Sequence, residues 1–159
     1  MKQKIMVLPG TESQIGLIKK IQKIGYKVIC VDPNDNAPGL KIADYFDNAD
    51  ILDVDRCLKI AKENNVIAVL SDECDIATST VAYINRQIGA NSIGNDMAQL
   101  YTNKYLMREF SSKLRLPCPR YKECDCLEDA IKFFKECKNQ KIIIKPLNSN
   151  SSRGVFTVT

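Results

Sequence analysis

The chain contains no histidine. That removes Ser-His-Asp and Cys-His nucleophilic catalysis, and histidine-ligated metal chemistry, from this stretch. Catalysis here has to use lysine, arginine, carboxylates, backbone amides or a bound ion. Long apolar runs are also missing. Runs such as Ile142-Ile143-Ile144 fall far short of the roughly 18 residues a membrane span needs. No Cys-x-x-Cys pair occurs among the seven cysteines, Cys30, Cys57, Cys74, Cys118, Cys124, Cys126 and Cys137. An odd count, mostly inside apolar or helical patterns, suits reduced thiols rather than a disulfide framework. A cluster of Cys118, Cys124, Cys126 and Cys137 lacks the usual zinc spacing, so no metal is expected on these residues. The N-terminus runs straight from Met1-Lys2-Gln3-Lys4 into a strand pattern, with no signal-peptide core or cleavage site. A cytoplasmic protein without a membrane partner is expected. Aromatic residues are few, at 7%, and no nucleic-acid motif is present, so nucleic acid is not an expected partner.

What is present is enough to fold. Hydrophobic residues make up 45% of 159, which supports a core and argues against disorder. Charge is uneven: residues 1–100 carry 11 Lys+Arg against 13 Asp+Glu, whereas residues 101–159 carry 12 against 6. The basic second part suits a polyanion such as a nucleoside triphosphate, or simply a solvated surface.

Periodicity gives the class. Residues 4–8, 27–31 and 66–70 are short apolar runs that read as buried strands, with a short third strand at Tyr45-Phe46. Between them, Ile15, Ile18 and Ile21 recur at helical spacing before Gly25. Asp53 is placed to cap a helix carrying Leu58, Ile60 and Ala61. Residues 76–88 read as a helix stopped by Gly89. This alternation predicts an α/β fold with a doubly wound parallel sheet. The pattern changes near Gly94: two helices over 95–101 and 103–114, a break at Pro117 and Pro119, a strand over 121–124, an amphipathic helix over 127–137, a strand over 141–145, and another from 155. The expected organisation is a domain over 1–93, a linker over 94–103, and a second region over 104–159.

Ligands of open parallel sheets bind beyond the carboxyl ends of the strands. That singles out the loops at 9–14, 32–36 and 71–75. A dinucleotide reading, with Asp32 on a ribose, fails on its glycines: Gly10-Thr11-Glu12-Ser13-Gln14-Ile15-Gly16 lacks the required spacing, and Glu12 opposes a pyrophosphate. The bland alternative gives Gly10 a tight turn and Asp32 a turn or capping role. Asp72, Glu73 and Asp75 suit a cationic or amine-bearing substrate or a metal, or else a solvated loop in which Asp75 caps the next helix. In the second region, Lys145-Pro146 precedes Asn148-Ser149-Asn150-Ser151-Ser152-Arg153-Gly154. Small residues there let backbone N–H groups approach phosphate, but the Walker ending is missing. Composition alone favours a surface hairpin turn.

Several of these segments together resemble the ATP-grasp proteins of the carbamoyl-phosphate-synthase large-chain type. They are Asp32-Pro33-Asn34-Asp35-Asn36-Ala37-Pro38-Gly39 with Ala43-Asp44, and Thr102-Asn103-Lys104-Tyr105-Leu106-Met107-Arg108 with Leu116-Pro117-Cys118-Pro119. Ile142-Ile143-Ile144-Lys145-Pro146 with Ser151-Ser152-Arg153-Gly154-Val155 completes the set. The resemblance implies a Rossmann-like pre-ATP-grasp domain followed by the first part of an α+β ATP-grasp domain. It implies that Lys104, Lys145, Ser149, Asn150, Ser151, Ser152, Arg153 and Gly154 contact ATP phosphates. Gly10, Thr11, Glu12, Asp72, Glu73 and Asp75 become candidates for the acceptor pocket. The implied reaction activates a small-molecule carboxylate as an acyl phosphate for attack by an amine or related nucleophile, with Mg²⁺. No catalytic residue or metal ligand is expected within this chain. The Mg²⁺ ligands are expected beyond residue 159, and this polypeptide alone is expected not to turn over ATP. First domains of this family contribute to dimer contacts, so a homodimer is among the expected states. The competing readings are a Rossmann-like nucleotide-binding module and a non-catalytic assembly module. Asn148, Asn150 and Ser152 stand where the family often has glycine, a departure that bears on how the loop closes.

Overall fold

The structure is a computed structural model that describes residues 2–138, 141–149 and 152–159. The chain divides into two compact units, one through Ala98 and one from Gln99.

The first unit is built on four parallel strands: β1 (Lys4–Val7), β2 (Lys27–Val31), β3 (Tyr45–Asp47) and β4 (Val66–Leu70), in the order β3-β2-β1-β4. Helices α1 (Ile15–Lys23), α2 (Pro38–Ile42), α3 (Val54–Glu63) and α4 (Thr78–Gln87) connect or follow them. The period of two along a strand sorts the central strand onto two faces. Ile5 and Val7 pack with Ile18 and Ile21 of α1 and Leu40 of α2. Met6 and Leu8 pack with Cys57 and Ile60 of α3 and Ile84 of α4. Both faces are covered, which is the doubly wound arrangement the alternation predicts.

Local signals explain most element ends. The Asp53 carboxylate accepts from the Arg56 amide at 3.0 Å and caps α3. Gly25 and Gly89 take positive φ where α1 and α4 stop. Short α2 is not foreseen in the sequence. It opens with Pro38 at its first position, as proline prefers. Asp75 does not cap a helix. It begins a single 3₁₀ turn, Asp75–Ala77, whose N-cap is Cys74, and α4 starts after it without a side-chain cap.

Among the described residues strand β4 pairs only with β1, which leaves backbone donors and acceptors on its outer edge. A buried side chain from α4 answers part of this edge. Asn85 accepts from the Val69 amide at 2.7 Å and donates to the Val69 carbonyl at 2.8 Å. Its carboxamide thus imitates a neighbouring peptide. Replacing Asn85 by leucine strands both groups of Val69. Since a buried unpaired polar group costs about 1–3 kcal/mol, a destabilisation of about 2–4 kcal/mol is expected from urea unfolding.

In the second unit, α5 (Asn95–Thr102) carries the junction between the units. Helix α6 (Lys104–Lys113) follows Asn103, whose side chain accepts from the Tyr105 and Leu106 amides. Helix α7 (Leu127–Glu136) and an antiparallel pair, β5 (Ile142–Ile144) with β6 (Phe156–Val158), complete it. The strand expected over 121–124 does not form. Tyr121 instead donates to Glu109 at 2.7 Å and sets its ring edge-on to Tyr105 at 5.9 Å, and among the described residues no strand lies beside it. From Gln99 onward no described hydrophobic residue is buried. Leu106, Met107, Phe110, Ile131, Ile144 and Phe156 stay exposed, so this unit holds apolar faces without a closed core of its own. Among the described residues no helix is long and apolar enough to cross a membrane.

Candidate functional site

Two groups of residues lie at the positions singled out by the sequence, one in each unit.

In the first unit, the loops leaving the carboxyl ends of the strands are tied to one another. Gly10 donates its amide to Asp32 Oδ2 at 2.8 Å, and the other oxygen, Oδ1, accepts from the Asn34 amide at 2.8 Å. Asp32 is buried and each of its oxygens accepts from a backbone amide, which explains it as the organiser of its own turn rather than as a ribose ligand. Gly39, at the start of α2, donates to the Gly10 carbonyl at 2.7 Å. A Cβ on Gly39 would lie 2.8 Å from that carbonyl oxygen. Gly16, by contrast, has nothing within 4 Å of a Cβ. The third glycine of a dinucleotide fingerprint exists to let helix and strand approach closely, and no such approach occurs at Gly16.

Gln14 is fully buried and crosses to the loop after β4. Its Oε1 accepts from the Asp72 amide at 3.0 Å, and its Nε2 donates to the Asp72 carbonyl. Thr11, Glu12, Asp72, Glu73 and Asp75 are exposed around this bridge, and Gly10 is buried beneath them. Glu73 holds φ at +50°, a left-handed conformation that costs a non-glycine residue about 1–2 kcal/mol. The Ser71 hydroxyl is buried with no hydrogen-bond partner among the described residues. Nearby thiols are inert: burial, reinforced by the Asp32 charge, pushes Cys30 up to about 12, and burial raises Cys74. Burial thus disfavours a thiolate at both.

In the second unit, Lys104 opens α6 and reaches the loop that follows β5. Its Nζ donates to the Ser149 carbonyl at 2.6 Å and to the Leu147 carbonyl at 3.3 Å, and its backbone amide also donates to Leu147 at 3.2 Å. A lysine at a helix N-terminus opposes the helix dipole. Two carbonyls offset that here. Lys145 lies just past β5 and is exposed, with no ion pair among the described residues. Ser149 Oγ donates to the Arg153 carbonyl at 3.1 Å, Ser152 has φ +56° and Gly154 φ +69°. A Cβ on Gly154 would lie 2.8 Å from Pro146 Cγ, so only glycine lets the return of the hairpin fold over the proline. The expected phosphate contacts at Asn150 and Ser151 lie outside the described residues.

Sequence reasoning marked Gly10, Thr11, Glu12, Asp72, Glu73 and Asp75, and the structure gathers them on adjoining loops of one sheet edge. It missed Gly39 and the bridging role of Gln14. One signal was available for Gln14: it stands four and seven residues before the buried Ile18 and Ile21, on the inward face of α1.

No family model matches the chain. The chain is 30% identical over 157 residues to the formate-dependent phosphoribosylglycinamide formyltransferase of Rhodococcus jostii (strain RHA1), across 98% of this chain and 39% of that protein. Among solved structures, N5-carboxyaminoimidazole ribonucleotide synthetase from Thermotoga maritima matches 98% of this chain and 40% of its own, with TM-score 0.73 and 22% identity. N5-carboxyaminoimidazole synthetase from Staphylococcus aureus, complexed with ADP, matches 99% of this chain and 42% of its own, with TM-score 0.79 and 16% identity. The chain spans about two fifths of the length of these proteins. Over nearly its whole length the chain is thus similar to about two fifths of this formyltransferase, and it shares the fold of the corresponding part of these synthetases.

Proposed function

We propose that this chain supplies the acceptor-side domain and part of the phosphate site of an ATP-dependent ligase. The full-length enzyme activates a small-molecule carboxylate as an acyl phosphate and passes the acyl group to an amine. The observation that carries this reading is the meeting of Lys104 with the loop after β5, through the Ser149 carbonyl at 2.6 Å. Two segments 45 residues apart in sequence, each singled out for phosphate contact, are adjacent in one unit.

The residues that would hold the phosphates are Lys104, Lys145, Ser149 and Ser152 to Gly154, with Asn150 and Ser151 between them. Two ammonium groups and a turn of small residues match a polyphosphate in charge and access. ATP supplies the phosphoryl group. The chain's own residues fix its orientation and offset its charge. Mg²⁺ belongs to this reading, with its ligands in the part of the relatives' length that this chain does not span. The exposed apolar faces from Leu106 to Phe156 fit a domain completed by further chain. Accordingly residues 1–93 form the pre-ATP-grasp domain, 94–103 the linker, and 104–159 the N-terminal portion of the ATP-grasp domain, in a cytoplasmic enzyme. Release of ADP by the full-length protein, dependent on a carboxylate and an amine, tests this. ADP release that needs neither would contradict it.

The amine follows from charge. The strand-end loops at 8–14, 32–37, 48–53 and 71–75 contain eight carboxylates and no lysine or arginine. Backbone amides occupy Asp32, Asp50 and Asp53. Glu12, Asp72, Glu73 and Asp75 make no ion pair among the described residues. Such an edge attracts a cationic amine and repels a phosphorylated acceptor. Asp72→Asn combined with Asp75→Asn is expected to raise the amine KM about tenfold with little change in kcat, the pattern of lost ground-state binding. An unchanged KM would remove these carboxylates from the acceptor site.

A further inference from the structure

Three unusual features fall on consecutive residues after β4. Ser71 buries a hydroxyl without a partner among the described residues, Asp72 gives both backbone groups to a remote side chain, and Glu73 is left-handed. Loops usually satisfy their own backbone or leave it to water. Here the backbone of Asp72 is held instead by Gln14, 58 residues away and fully buried.

We propose that Gln14 is the positioning residue of the acceptor site, the side chain that fixes loop 71–75 against loop 10–14. Its carboxamide makes a two-point contact with one peptide unit, donating to the carbonyl and accepting from the amide of Asp72. A two-point contact sets direction as well as distance. It determines where Asp72 starts, and so where Glu73 must turn at φ +50°. Gln14 itself is anchored, because it closes the inward face of α1 above Ile18 and Ile21. The strain at Glu73 lies between Asp72, held by the bridge, and Cys74, whose carbonyl accepts from the Ala77 amide at 3.1 Å, and strained residues survive where their surroundings are fixed. A leucine would fill the same space but could hold neither group of Asp72. That these loops hold the acceptor rests on the function proposed above. The bridge itself does not.

The chemistry of the carboxamide provides a specific test. A protonated glutamate has the same donor and acceptor as glutamine, whereas its carboxylate only accepts. In Gln14→Glu, burial and the carboxylates on the adjoining loops, Glu12, Asp72, Glu73 and Asp75, all raise the pKa of the introduced group. The two-point bridge is therefore complete at low pH; as pH rises through that raised pKa the carboxylate loses the donor to the Asp72 carbonyl and sets its own charge against that oxygen, so the contact opens. The measurement is amide hydrogen exchange on the full-length protein, wild type, Gln14→Leu and Gln14→Glu, each compared with wild type at the same pH. In Gln14→Leu, exchange at Asp72 and Glu73 is expected to rise about tenfold, with the β2 amides unchanged. In Gln14→Glu it is expected to match wild type at pH 5.5 and rise about tenfold at pH 8. Wild-type exchange in both variants, or a ratio for Gln14→Glu that does not depend on pH, would overturn the proposal. Exchange reads the bridge whether or not an acceptor binds there. The acceptor assignment stands or falls separately, on the Asp72 and Asp75 substitutions.

Discussion

Replacing Lys145 by alanine in the full-length enzyme is expected to lower kcat/KM for ATP by about 10²- to 10³-fold, the range seen when one group that stabilises transition-state charge is removed. The reasoning starts from what holds this lysine and what does not. The β5–β6 hairpin fixes its backbone: Ile144 pairs with Phe156, and Pro146 lies under Gly154. Its ammonium has no ion pair among the described residues. A positioned strand end carrying an uncommitted charge is suited to a phosphate and contributes little to folding. Surface substitutions of that kind usually change stability by no more than about 0.5 kcal/mol. The loss should therefore appear in steady-state ADP release with the melting temperature unchanged. Lys104 is expected to behave differently. Its ammonium already holds the Leu147 and Ser149 carbonyls, so removing it also loosens the loop. Full activity in Lys145→Ala would mean that the phosphate site lies elsewhere.

The second large effect is on folding. Gly39→Ala is expected to destabilise the first unit by about 2–5 kcal/mol, and Gly39→Val by more. An added Cβ would sit 2.8 Å from the Gly10 carbonyl oxygen and 2.9 Å from Gly10 Cα. Backbone on both sides cannot yield as a side-chain tip could. Overpacking of this kind costs about 1–3 kcal/mol. Separating the two segments also breaks the Gly39 amide bond to Gly10, at 2.7 Å, and an unpaired buried group adds about 1–3 kcal/mol. The displacement would further pull Gly10 from Asp32, so the turn after β2 should loosen too. Gly16→Ala is the internal control. It lies in α1 with nothing within 4 Å of the new methyl group, and alanine for glycine in an exposed helix gains up to about 1 kcal/mol. Urea unfolding of the two variants should move in opposite directions. Equal midpoints would show that the Gly10–Gly39 approach is not tight.

These two glycines show what was legible in the sequence. Strand β1 was readable because Ile5, Met6, Val7 and Leu8 form one short apolar run. Helices α1 and α3 were readable from their 3.6-residue spacing and, for α3, from the Asp53 cap. The β5–β6 hairpin was readable from an apolar triplet followed by small polar residues. All of these are local signals. Gly39 stood in the sequence only as the end of the segment 32–39, because the sequence does not show that Gly10 lies against it. Asn85 read as one more residue of the 76–88 helix and Gln14 as the end of the 9–14 loop, because their partners, Val69 and Asp72, are 16 and 58 residues away. The strand expected over 121–124 failed for the same reason in reverse. Its pattern allowed a strand, but a strand needs a neighbour, and Tyr121 found Glu109 and Tyr105 instead. The loops proposed to hold the acceptor were legible as acidic strand ends, whereas the side chain that joins them was not.

The most direct test of the ATP-grasp assignment is calorimetric titration of ATP·Mg²⁺ into this chain, into a form extended to the natural stop codon, and into the extended form carrying Lys145→Ala. A phosphate site completed by further chain predicts binding by the extended wild type, and none by the 159-residue chain or the Lys145→Ala form. Absence of binding by the extended wild type, or equal binding with and without Lys145, would contradict it.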